Sequence, residues 1–179
     1  LAGIPGTMGG ALAMNAGAFG GETWPVVSAV TAIDRGGRIR QREPAEFEVS
    51  YRQVVKPAEE WFLACTLRLT RGDGGAEQAA IRQLLDRRAA TQPTGLPSCG
   101  STFRNPQGDH AARLIEVSGL KGYRIGGAEV STKHANFIIN TGDASAADIE
   151  ALIGHVAAEV ERGHGVRLRT EVHMVGEPA

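Results

Sequence analysis

Hydrophobic and polar positions change period along the chain, and the change divides it. Val26 to Ile33 is rich in β-branched residues and predicts a strand. DRGG (Asp34 to Gly37) then reads as a hairpin turn into a short strand around Arg38 to Gln41. Trp61 to Thr70 alternates strictly and predicts a strand with Leu63, Cys65, Leu67 and Leu69 on one face. RGDGG (Arg71 to Gly75) ends that pattern, and the period moves from two towards about 3.6. Ala76 to Arg88 predicts a helix with Ile81, Leu84 and Leu85 on one face, and His110 to Ser118 a shorter one stopped by Gly119. The strongest helix is Ala146 to Arg162. Ser145 is its N-cap, Asp148 stands three residues on, and Ile149, Leu152, Ile153, Val156 and Val160 fall at offsets 0, 3, 4, 7 and 11. Asn136 to Asn140 carries an apolar FII run, a short buried strand, and Val166 to Val175 predicts a last strand pair. Strands and helices come in mixed order without βαβ alternation, so the expected class is α+β, with a domain boundary separating residues 1–74 from 75–179.

Composition sharpens one part of this picture. The chain has 179 residues, 42% hydrophobic and 22% charged with a net charge of −1, which gives no electrostatic reason to expect a nucleic acid or an anionic membrane as partner. Its 24 glycines are not evenly spread, because seven lie within the first 22 residues. No run approaches the ~18 consecutive apolar residues of a membrane span. The opening has no basic leader before an apolar core. Cys65 and Cys99 match neither a redox pair nor a metal spacing, so two free thiols in a reducing, cytoplasmic setting are expected. The histidines at 110, 134, 155, 164 and 173 include no i,i+4 pair and no H-E-x-x-H, and no metal site is expected.

Several motifs can carry chemistry, each with a plainer alternative. GIPGTMGG (Gly3 to Gly10) brings backbone amides together without side chains in the way, which suits close approach to an anionic group. It is neither a P-loop nor a Rossmann fingerprint, and a glycine-rich turn between buried elements is the other reading. MNAGAFGGE extends it with Asn15, which can both donate and accept. SCGSTFRNP (Ser98 to Pro106) presents Ser101 in a glycine-flanked turn. No G-x-S-x-G elbow is present, so the hydroxyl is either a proton donor to a reacting carbon or a capping group. Arg52 in VSYRQ is a surface arginine unless something anionic meets it. Glu171, amid alternating apolar residues, needs a partner if buried. Lys133 and His134 precede the FII strand, where with Lys121, Arg124 and Arg113 they form either a diphosphate-binding patch or a solvated basic face.

Taken in order, GIPGTMGGALAMNAGAFGGE, VSYR, RRAATQP, PSCGSTFRNP, GYRIGGAEVSTKHANFIIN and LRTEVHMVG resemble the UDP-N-acetylenolpyruvoylglucosamine reductase (MurB) family of bacterial peptidoglycan synthesis, in its shorter subtype. The resemblance runs over essentially the whole chain. It implies that residues 1–74 are the second half of an FAD-binding, vanillyl-alcohol-oxidase-like α+β domain and residues 75–179 a C-terminal α+β UDP-sugar domain. It also implies FAD and NADPH as cofactors, with a hydride delivered to C3 of the substrate's enolpyruvyl group and a proton to C2. Ser101 is then the proton donor, with Arg52 and Glu171 flanking the substrate carboxylate. Gly3, Pro5, Gly6, Thr7, Gly9, Gly10, Asn15 and Gly17 match the stretch along the FAD. Asn105, Arg104, Lys133 and His134 fall at substrate positions, Arg104 standing where the family commonly has lysine. The resemblance implies a cytoplasmic monomer whose first flavin-binding half precedes Leu1. By itself the chain is expected to bind FAD poorly, while residues from about Ala76 onward fold alone. A UDP-sugar-binding module without catalysis, and a flavin oxidase with another substrate, are the competing readings.

Overall fold

In the computed structural model, which describes residues 3–4 and 6–176, the glycine-rich opening contains a helix. The Thr7 hydroxyl accepts the Gly10 N–H at 3.1 Å and starts α1 (Met8–Ala13), which buries Ala11 and Leu12. Two very short strands, β1 (Gly17–Ala18) and β2 (Gly21–Glu22), pair antiparallel across Phe19 and Gly20, both with positive φ (54° and 82°). A turn at Trp24–Val26 leads into β3 (Val27–Asp34), and the predicted DRGG hairpin joins it to β4 (Ile39–Arg42). A second hairpin pairs β5 (Glu48–Ser50) with β6 (Gln53–Val55), and β7 (Glu60–Leu67) returns along β3 to give the antiparallel order β4-β3-β7.

The predicted alternation of β7 does not survive. Thr31 pairs with Ala64 but Ala32 with Phe62, so Leu63 is the extra residue of a β-bulge. The slip turns Leu63 outward, 53% exposed, while Phe62, Cys65 and Leu67 pack beside Leu12, Trp24, Val27, Val30 and Phe47. Trp24 is the centre of this core. Its ring lies 4.7 Å from that of Phe47, and its indole N–H donates to the Leu12 carbonyl at 2.8 Å, so the buried polar tip is satisfied.

The chain divides into two compact units, Leu1–Asp86 and Arg87–Ala179, and α2 (Gly74–Thr91) runs through the division. This helix is longer than its predicted span and buries no residue; Ile81 and Leu85, expected on an inward face, are exposed. In the second unit α3 (Ala111–Val117) ends at Ser118, with Gly119 at φ 73° as the stop. β8 (Arg124–Ile125), β9 (Ala128–Val130) and β10 (Ile138–Asn140) form an antiparallel sheet in the order β10-β9-β8. The β8–β9 turn needs Gly126, whose φ is 52° and whose missing Cβ would fall 2.5 Å from the Asp148 carboxylate. The last helix, α4 (Ala146–His164), has the reciprocal Ser145–Asp148 capping box and buries Leu152, Ile153, Val156 and Val160 as predicted. Each of these aliphatic side chains contributes about 1.5–3 kcal/mol by leaving water. They pack with Phe103, Leu114, Ile115, Val130, Ile138 and Leu168 in one core.

The strand pair expected over Val166–Val175 is absent among the described residues. That segment pairs instead with residues 102–104: Phe103 and Thr170 form an isolated antiparallel bridge, Arg104 N–H donates to the Arg169 carbonyl, and Glu171 N–H donates to the Thr102 carbonyl, both at 2.8 Å. A backbone already engaged in this way has no need to pair with itself.

Candidate active site

The pairing just described brings two of the candidate residues to one place. Ser101 is half-buried after Gly100, whose φ of 83° makes the turn, and it immediately precedes Thr102, to which Glu171 is tied. On the other side the segment is held by a residue the sequence reading passed over. Asn136, 4% exposed, accepts the Phe103 N–H on Oδ1 at 2.9 Å and donates through Nδ2 to the Phe103 carbonyl at 2.8 Å. Its own carbonyl accepts the Thr102 N–H at 2.8 Å. One carboxamide thereby does what a neighbouring strand would do. The available signal was a lone amide within the apolar AxFII run, since a buried carboxamide must find partners.

The polar groups around this turn differ in how far they are committed. Asn105 is exposed; its amide oxygen accepts the Ala111 N–H at 3.1 Å and so caps α3, while its NH2 bonds no described residue. Arg104 is half-buried, and its Nε, like the Thr102 hydroxyl, is a buried polar atom without a hydrogen-bond partner among the described residues. An unmet buried donor costs about 1–3 kcal/mol, which an anionic acceptor would recover. His134 is half-buried, accepts the Asn136 N–H on Nδ1 at 3.3 Å, and meets the Phe137 ring edge-on. Burial pushes its imidazole below the ordinary histidine range, so it is neutral at pH 7.

Lys133 lies elsewhere on the same unit. It lines a groove of about 590 Å³ between the Pro93–Pro97 loop and residues 140–142. The groove's polar groups are already used within the unit. The Lys133 ammonium donates to the Ala89 carbonyl, the Thr141 hydroxyl donates to the Gly127 carbonyl, and Glu129 pairs with Arg124 at 3.3 Å. Ser101, Asn105 and Glu171 are not among the residues lining it. The Ser101 turn is thus separate from this groove.

The first unit holds the remaining candidates. Gly3, Gly6, Thr7 and Gly10 are exposed, and no atom of the described residues lies within 4 Å of where a Gly6 Cβ would stand. Gly9 and Gly17 are half-buried, while Pro5 lies outside the described residues. Arg52 is half-buried in the β5–β6 turn with φ 54°, and its guanidinium donates to the carbonyls of Asn15 (3.2 Å) and Gly17 (2.7 Å). Among the described residues no cluster of three His, Cys, Asp or Glu side chains could hold a metal, and no helix is long and apolar enough to cross a membrane. The Cys99 thiol, two residues before Ser101, is pushed up by burial and is correspondingly poor as a thiolate.

With this geometry in view, comparison with known proteins is informative. Residues 92–175, within the second unit, match the family described as UDP-N-acetylenolpyruvoylglucosamine reductase, C-terminal domain. By this match the second unit carries a domain similar to the C-terminal domain of that family. Over 177 residues the chain is 64% identical to the UDP-N-acetylenolpyruvoylglucosamine reductase of Alkalilimnicola ehrlichii, covering 99% of this chain and 59% of that protein. It is 63% identical to the corresponding reductase of Methylococcus capsulatus, covering 99% and 58%. The crystal structure of the Thermus caldophilus reductase (MurB) superposes with a TM-score of 0.84 at 32% identity, over 96% of this chain and 61% of that one. Residues 92–175 thus match the C-terminal domain of that family, and nearly the whole chain is similar to its members. The chain spans about three-fifths of the length of the relatives it matches.

Proposed function

We propose that this chain is the substrate-reducing portion of an NADPH-dependent flavoenzyme that converts UDP-N-acetylglucosamine enolpyruvate to UDP-N-acetylmuramate in peptidoglycan synthesis. In this reading residues 1–74 belong to the flavin-binding domain and residues 75–179 form the UDP-sugar domain of a cytoplasmic, monomeric enzyme. The observation that carries it is the Ser101 turn, pinned by Asn136 on one side and tied to Glu171 on the other.

The residues present fit a flavin in part. The exposed backbone of Gly3, Gly6, Thr7 and Gly10, with open space at Gly6, admits close approach of a large anionic cofactor. Bound there, FAD reduced by NADPH supplies the hydride for C3 of the enolpyruvyl group. The rest of the work falls to side chains of this chain. Hydride addition at C3 leaves negative charge shared between C2 and the substrate carboxylate. Arg52, and Glu171 as a protonated acid, donate hydrogen bonds to that charge, and each such preorganised donor is worth about 10²–10³ in rate. Ser101 then gives its proton to C2, which its hydroxyl can do only while cationic neighbours lower the cost of the alkoxide. Asn105 and Arg104 bind the nucleotide sugar, Arg104 through the unmet Nε donor. His134 extends that surface as a hydrogen-bonding ring, and Lys133 joins it only by leaving the Ala89 carbonyl.

The test joins this chain to the part of the Alkalilimnicola ehrlichii relative outside the matched region and follows each half-reaction by flavin absorbance. The fusion should take up FAD, be reduced by NADPH and be reoxidised by the enolpyruvyl sugar. Ser101→Ala should leave reduction unchanged and slow reoxidation by about 10²-fold or more. A flavin-loaded, NADPH-reduced fusion that the enolpyruvyl sugar does not reoxidise would refute the proposal.

A further inference from the structure

We infer that Asn15 is a positioning residue for Arg52, held by a hydrogen bond to Glu22, and not a side chain that touches the cofactor. This rests on the reading above, in which Arg52 meets the substrate carboxylate. Asn15 is 1% exposed although Gly3, Gly6, Thr7 and Gly10 in the same glycine-rich opening are exposed and its neighbours Met14 and Ala16 are half-buried. Its carboxamide is spent inside the unit. Oδ1 accepts the Trp24 N–H at 3.2 Å, and Nδ2 donates to Glu22 Oε2 at 2.8 Å and to the Ser50 carbonyl at 3.2 Å. Only this orientation works, because an ionised carboxylate can only accept and a backbone N–H can only donate.

The two ends of this grip converge on Arg52. Ser50 is the last residue of β5 and the base of the Tyr51–Arg52 turn, while the Asn15 carbonyl accepts Arg52 Nη1 at 3.2 Å. Gly17 completes the hold. Its carbonyl accepts Nη2 at 2.7 Å, and a Cβ there would stand 3.1 Å from Nη1, so the guanidinium lies against bare backbone. Arg52 itself has a φ of 54°, a left-handed conformation that a non-glycine residue keeps only where its surroundings over-determine it. A side chain with no polar atom left for a ligand, gripping the base of the turn while the residue's own main-chain carbonyl holds the tip of the arginine, fits a positioning role.

The test exchanges the two partners. Asn15→Asp sets two carboxylates against each other, and adding Glu22→Gln restores the bond between positions 15 and 22 with its polarity reversed while leaving the Ser50 carbonyl without its donor. In the 179-residue chain, the side-chain ¹H–¹⁵N signals of Arg52, assigned by their loss in Arg52→Lys, should be dispersed in the parent. They should collapse towards the free-arginine position in Asn15→Asp and return in part in the double variant. Glu22→Ala removes the exposed acceptor alone and should also loosen Arg52, which covers the case in which Asn15→Asp does not fold. Unchanged Arg52 signals in folded Glu22→Ala, or no recovery in a folded double variant, overturn the inference.

In the fusion enzyme Asn15→Asp should slow flavin reoxidation by the enolpyruvyl sugar about tenfold or more. It should leave NADPH-driven reduction within about twofold of the parent, and the double variant should recover part of the loss. Equal loss in both half-reactions, or loss of FAD uptake, would make Asn15 a cofactor contact and overturn the inference. Arg52→Ala without effect on reoxidation would instead refute the role of Arg52 and leave the grip itself to the spectra.

Discussion

Replacing Asn136 tests how the Ser101 turn is built. Asn136→Ala removes two hydrogen bonds, from the Phe103 N–H at 2.9 Å and to the Phe103 carbonyl at 2.8 Å. Phe103 is 1% exposed, so both backbone groups would be left dry and unpaired. Each costs about 1–3 kcal/mol, and allowing for partial relaxation the loss should be about 2–5 kcal/mol, a large share of a typical domain's stability. The chain offers a clean assay. Its two tryptophans, Trp24 and Trp61, both lie in the first unit, so urea unfolding by tryptophan fluorescence follows that unit and far-ultraviolet circular dichroism follows both. Asn136→Ala should move the dichroism transition of the second unit to lower urea and leave the fluorescence transition in place. Asn136→Asp, which sets a buried carboxylate against the Phe103 carbonyl, should be no more stable than Asn136→Ala at pH 7. A shift below about 1 kcal/mol would show that the carboxamide does not bear the turn, because that is less than one unmet buried group costs.

Two further changes probe the first unit. Phe19 opens a two-residue hairpin turn in which both central residues have positive φ, a place where Asn-Gly is strongly preferred, so Phe19→Asn should stabilise this unit by about 1 kcal/mol in the fluorescence-detected urea transition. No gain would mean that the β1–β2 hairpin opens before the unit unfolds. Glu60 is buried beside Arg42, whose guanidinium holds its carboxyl below the usual range. A carboxyl with a lowered folded value adds stability above its unfolded value of about 4.3 and loses it as pH falls through the folded one. Glu60→Gln should therefore be less stable than the parent at pH 7, with the gap closing below about pH 4; a gap independent of pH would contradict the ion pair.

Helix α4 was legible in the sequence because cap and period agreed: Ser145 and the spaced aliphatics each signal locally, and tertiary packing had nothing to override, although the helix runs on past Arg162 to His164. β7 misled because one extra residue in a ladder reverses every later side chain, and Leu63 looks in sequence like any other alternating leucine. The face of α2 misled for a different reason: an apolar stripe states what a helix can bury, not that a partner is present in the same unit. Among the candidates, Ser101, Glu171 and Arg52 were proposed from motifs, whereas Asn136 and the inward turn of Asn15 had no motif to announce them. Their work is done by hydrogen bonds between segments distant in sequence, 33 residues apart for Asn136 and Phe103 and 35 for Asn15 and Ser50.

The Ser101 segment is anchored through main-chain atoms of Thr102 and Phe103, not through the side chain at position 101. Mutation can therefore explore that position at little folding cost, since alanine, cysteine or threonine there leaves every anchoring bond in place. Chemistry and stability are inherited separately at this turn: one residue can be lost or exchanged in descent while the scaffold that aims it persists, ready for a different side chain.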